Sequence, residues 1–65
     1  MKEKLLSAYI SADEGVVAIT DKAVYVYTQE LNEVDQQKLL KKLATATEIN
    51  TEHWTLVWKK ESTGE

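Results

Sequence analysis

The chain has 65 residues, with eight Lys, no Arg, 11 acidic residues, one His, no Cys and a net charge of −3. This composition excludes disulfide frameworks and thiolate zinc sites, and an acidic chain without Arg is poorly equipped to read phosphates or bases. At 43% hydrophobic it is an ordinary globular sequence, long enough for one domain that buries about 60% of its unfolded surface.

No stretch is long enough to span a membrane. The opening MKEKLLSAYISA resembles a secretion leader only in outline. Its apolar part, LLSAYI, is short and broken by Ser7, and Glu3 lies among the basic residues. We read it as the first strand of a cytoplasmic protein. Residues 5–12 alternate, with Leu6, Ala8, Ile10 and Ala12 on one face and Leu5, Ser7, Tyr9 and Ser11 on the other. Asp13-Glu14-Gly15 then makes a three-residue hairpin loop, with Gly15 supplying the left-handed position.

Residues 16–28, VVAITDKAVYVYT, return to the sheet. Thirteen residues are too many for an ordinary strand. Asp21-Lys22 is therefore expected to form a second hairpin turn, although this pair is poor turn chemistry. A single bulged strand is the alternative. On AVYVYT, Val24 and Val26 are expected to face the core and Tyr25 and Tyr27 the open side.

The periodicity of QQKLLKKLATAT predicts a helix with Leu39, Leu40, Leu43, Ala44 and Ala46 on its buried stripe and Lys38, Lys41 and Lys42 opposite. Asp35 is the expected N-cap, with Asn32 an alternative one turn earlier. Val34 and Ile49 miss the stripe, so the helix should start after Asp35 and end near Thr47 or Glu48. Residues 53–60, HWTLVWKK, make a last strand with Trp54, Leu56 and Trp58 on the face toward the helix. Lys59 and Lys60 guard its end against aggregation.

The expected fold is α+β. A three-stranded antiparallel meander is followed by one helix and a fourth strand, with the helix packed on one sheet face. Residues 1–60 form the domain, and 61–65 a disordered tail. A right-handed crossover would leave the third and fourth strands parallel. The fourth strand then lies beside the first or the third, with the first favoured.

Catalytic chemistry is not legible. The only glycines are Gly15 and Gly64, so there is no phosphate-binding loop. His53 has only strand serines, Ser7 and Ser11, as nucleophile candidates, outside any nucleophile-elbow motif. No cofactor or metal site is expected, and no enzymatic activity. The open sheet face is the candidate site, with Tyr9, Tyr25, Tyr27 and Thr55 as contact residues, because Tyr gives large contact area and tolerates water when unbound. The lysines Lys38, Lys41 and Lys42 form a secondary basic face.

The expected function is a non-enzymatic protein-binding module. It would be a small regulator or inhibitor that occludes a partner protein, as accessory proteins of phages and mobile elements do. Two alternatives differ in class. Aromatic rings on an open sheet can stack the bases of a single-stranded nucleic acid. Paired open faces or edge strands can make a structural homodimer.

Overall fold

The computed structural model describes residues 2–60; the expected tail at 61–65 lies outside the described residues. Strands β1 (Lys2–Ser11), β2 (Gly15–Thr20) and β3 (Ala23–Tyr27) form the antiparallel meander. In the first turn Ser11 pairs with Gly15. Gly15 has φ +89°, and the Ser11 hydroxyl accepts from the N–H groups of Asp13 and Glu14, both at 3.3 Å. The second turn is the two-residue Asp21-Lys22 hairpin. Its chemistry is supplied from the side. The Thr20 hydroxyl accepts from the N–H groups of Lys22 (3.1 Å) and Ala23 (3.0 Å). That local bonding replaces the left-handed residues such a turn usually needs. Among the described residues no position other than glycine has positive φ.

Helix α1 (Glu33–Ala44) begins two residues before Asp35, which lies in its first turn. The cap is Asn32, whose side chain accepts from the Asp35 N–H at 2.8 Å. Glu33 and Asp35 then sit in the first turn and Lys41 and Lys42 in the last, matching the helix dipole. Leu39 and Leu43 face a core made by Val16, Ala18, Ala23, Tyr25 and Ile49. The helix stops at Ala44, short of the Thr47 or Glu48 read from the sequence. The chain gains a strand there instead: β4 (Glu48–Asn50), which pairs with Lys2–Lys4 and buries Ile49. Ile49 misses the helical stripe because it belongs to this strand.

Five strands therefore form one sheet, in the order β4-β1-β2-β3-β5, with β5 running from Trp54 to Lys59. The expected parallel placement is overturned. β5 lies antiparallel beside β3, and the position beside β1 belongs to β4. The right-handed crossover rule applies to a helix linking two parallel strands of one sheet. Here the chain leaving α1 first visits the β1 edge, then turns through the short 3-10 segment Thr51–His53 and enters β5 at the opposite edge.

That path sets the shape of the sheet. Four Cα steps from Asn50 to Trp54 reach at most about 14 Å. In a flat sheet with this order and register, the same two positions would stand about 30 Å apart. The sheet must therefore fold over on itself. The bend falls where the β1–β2 register shifts, between Leu5 and Ser7. Lys2–Lys4 pair with β4, whereas Leu5 and Ser7–Ser11 pair with β2. The folded-over end is tied down by Glu3, which pairs with Ile49 in the β1–β4 ladder. Its carboxylate accepts from the Tyr25 hydroxyl at 2.8 Å and lies 2.8 Å from the Thr20 hydroxyl.

The tyrosine assignment is overturned as well. A two-residue hairpin places Thr20 and Ala23 on the same face, so alternation carries Tyr25 and Tyr27 inward with them. Tyr25 is 8% exposed in the core, and Tyr27 packs edge-on against Trp54 with ring centroids 5.1 Å apart. Val24 and Val26 take the helix-free face. The small side chains of Ala18, directly opposite, and Ala23 leave room beside them for a large ring, and the Glu3 carboxylate receives its hydroxyl.

Candidate functional site

The helix-free face of the sheet is a regular grid. Cross-strand register aligns Tyr9, Val17, Val26 and Thr55 in one row and Ser7, Ile19, Val24 and Trp58 in the next. The two aromatic residues occupy diagonal corners, about 16 Å apart by strand spacing. Hydroxyls occupy the other two corners. Four aliphatic residues fill the centre, where Val17 is 1% exposed beneath its neighbours. No charged residue lies inside the grid.

Trp58 reaches this face through a second irregularity. Strict alternation along β5 puts it with Trp54 and Leu56, toward the helix. The register instead shifts between Val24 and Tyr25, which pair with Trp58 and Leu56, so Val57 is an extra residue. Trp54 stays with Tyr27 on the inner face. Trp58 stands opposite Val24 on the other face and is 57% exposed. Sequence periodicity assigned it to the core, and the only signal against that assignment is that three large side chains exceed what one short helix covers.

The rim of the grid is polar. Beyond Tyr9 and Val26 lie Ser11 and Thr28, and the Thr28 and Thr55 hydroxyls are 2.9 Å apart. Beyond Val24 and Trp58 lie Lys22 and Lys60, joined by a backbone hydrogen bond from the Lys60 N–H to the Lys22 carbonyl (2.9 Å). The face thus has an uncharged apolar centre within a polar and charged rim.

Of the expected contact residues, Tyr9 and Thr55 are therefore on the candidate face and Tyr25 and Tyr27 are not. Burial pushes the Tyr25 phenol above its usual range, and the Glu3 hydrogen bond and charge push it the same way. Nor do the lysines act as one group. Lys38 and Lys41 border an outer groove of α1, whereas Lys42 borders the cleft containing Tyr27, Ile49 and Trp54.

The β5 edge is a weaker candidate. The Thr28 N–H donates to the His53 carbonyl (3.1 Å) and the Lys60 N–H to the Lys22 carbonyl. Alternation from both ends leaves Leu56 and Lys59 pointing away from β3, three residues apart rather than two. An incoming strand would lose register at the bulge, and Lys59 and Lys60 add charge there.

A polar cleft lies between the β1–β2 turn and the loop before α1, lined by Asp13, Glu14, Tyr27 and Glu30. Among the described residues no three His, Cys, Asp or Glu side chains are grouped to hold a metal, and no helix is long and apolar enough to cross a membrane. Comparison of the chain with protein-family models, with curated proteins and with solved structures finds no match in any of the three.

Proposed function

We propose that the chain is a non-enzymatic protein-binding module whose recognition surface is the helix-free sheet face. The observation that carries this reading is the exposed Trp58 beside an aliphatic centre, with Tyr9 at the far corner. The bulge leaves more than half of this indole in water. Trp and Tyr are the residues that most often anchor interfaces, flanked by near-neutral contacts that exclude water. Ser7 and Thr55 give the face hydroxyls that bind water when it is free and a partner backbone when it is occupied. In this role the protein acts as a small regulator or inhibitor by covering a surface of its partner.

Lys22 and Lys60 next to Trp58 favour a second reading, in which the indole stacks a base and the lysines meet phosphate. One experiment separates the two. The chain is used as bait in lysate of its source cells, as wild type, as Tyr9→Ser/Trp58→Ser and as Tyr25→Phe, each with and without nuclease. The protein-binding reading expects a nuclease-resistant protein held by the wild type and Tyr25→Phe and lost by the Tyr9/Trp58 double variant. A catch removed by nuclease transfers the face to nucleic acid. Equal capture by all three baits removes the face from the interaction.

A further inference from the structure

A cleft opens where the end of α1, strand β4 and the start of β5 meet. Its floor is apolar and partly aromatic. Leu39 and Leu43 come from α1, Ile49 from β4, and the edge-on pair Tyr27 and Trp54 from β3 and β5. Leu43 and Ile49 are buried, and Leu39, Tyr27 and Trp54 partly so. The volume is 370 Å³, at the low end of the range of about 300–1,000 Å³ typical of small-molecule sites.

The polar groups bordering this floor are one-sided in their chemistry. Lys42, Asn50 and His53 each offer N–H donors. Among the described residues none of these side-chain donors meets an acceptor. The neighbouring acceptors are already engaged. The Asn50 side-chain oxygen accepts from the Glu52 N–H at 3.1 Å. Glu48, the one carboxylate bordering the cleft, is paired with Lys2 at 3.4 Å. At the end of α1 the Lys42 and Leu43 carbonyls accept from the N–H groups of Thr45 (3.3 Å) and Ala46 (3.1 Å). The unbalanced charge at the cleft is therefore the Lys42 ammonium, in a chain whose net charge is −3.

We propose that this cleft binds a small organic monocarboxylate with an aromatic tail. A carboxylate is anionic and acceptor-only, so it meets an excess of donors beside a cation. The tail covers the apolar floor, where the Tyr27 and Trp54 rings offer edge and face contacts. An amine of the same shape would face Lys42 and find its acceptors taken. An alcohol would keep the tail contacts and lose the ion pair. The cleft lies on the inner side of β5 and the Tyr9–Trp58 grid on the outer side, so the site does not depend on what that grid binds.

Trp58→Phe leaves Trp54, in the cleft wall, as the only indole. Its emission in the full chain is followed at neutral pH and low salt while phenylbutyrate, phenylbutanol or phenylbutylamine is added. The expected result is a saturable change with the acid, binding about tenfold weaker with the alcohol, and no saturable change with the amine. Lys42 is exposed, so its replacement should leave circular dichroism unchanged. Lys42→Ala should remove the difference between acid and alcohol and leave the alcohol titration as it was. Lys42→Glu should reverse the preference toward the amine. Lys38→Glu makes the same charge change on the outer groove of α1 and should leave the preference for the acid in place. No saturable change with the acid overturns the proposal. So does an equal response to all three compounds, which would make the cleft an unselective apolar surface. An equal loss in Lys38→Glu and Lys42→Glu also overturns it, because the preference would then follow net charge and not the site.

Discussion

Thr20 concentrates more structure than its size suggests. It is 4% exposed, and its hydroxyl accepts from two backbone N–H groups of the second turn. Its single proton is shared between the Glu3 carboxylate at 2.8 Å and the Ala23 carbonyl at 3.1 Å. Thr20→Val keeps the shape and strands two donors, so it should cost about 2–4 kcal/mol. Thr20→Ser keeps the hydroxyl and should cost under about 1.5 kcal/mol. Urea midpoints of the two variants check the difference. Tyr25 makes the other bond to Glu3. Its phenol is raised in the folded state, so its contribution is fully present below the unfolded value near 10 and is lost as pH rises through the folded value. Melting temperature should therefore fall above about pH 10 more steeply in the wild type than in Tyr25→Phe. A parallel decline in both proteins would show that the phenol contributes nothing. None of this network is visible in the sequence, because Glu3 reaches Thr20 and Tyr25 only after β1 has folded over.

Among the elements, β5 shows how one added residue changes a surface. Period-two alternation puts Trp54 and Trp58 on one face, and on that reading deletion of Val57 would separate them. In the bulged strand they are already on opposite faces, and deletion of Val57 leaves Trp58 opposite Val24. Acrylamide quenching in a Trp54→Phe background should therefore find Trp58 accessible with or without Val57. The deletion should have a different effect on the edge. With regular spacing restored, the free side of β5 becomes a better template for strand pairing, and turbidity should rise with concentration. A quenched-to-protected change on deletion would overturn the register. The meander and the helix were legible because each repeats its pattern over several residues. The bulges at Leu6 and Val57 were not, since a slip of one residue leaves composition and hydropathy unchanged while reversing which side chains face out. The error at Tyr25 and Tyr27 has a related cause. Ranking faces by aliphatic content favours valines for the core, yet the inner face of β3 needed volume to fill the space beside two alanines.

For the molecule as a whole, size was the first constraint and closure is the solution. A sheet of five strands covered by one helix would leave much apolar surface wet. Folding β1 over lets β4 and Ile49 shield the base of the core without a second helix. The same economy explains why the expected crossover was wrong: nothing local in EIN announces a strand, and its pairing with Lys2–Lys4 is fixed by contacts distant in sequence, such as Lys2 with Asn50. The link through Thr51–His53 has a further consequence for how the protein is made. Both outer strands, β4 and β5, come from residues 48–59, on either side of one short turn. During synthesis from the N-terminus, the meander emerges with both of its flanks bare, and the last segment must seat on the two flanks nearly together. Until that segment arrives, β1 and β3 are open to neighbouring nascent chains. Crowding on the ribosome, rather than the stability of the finished domain, is then the point at which this sequence is most exposed to misassembly.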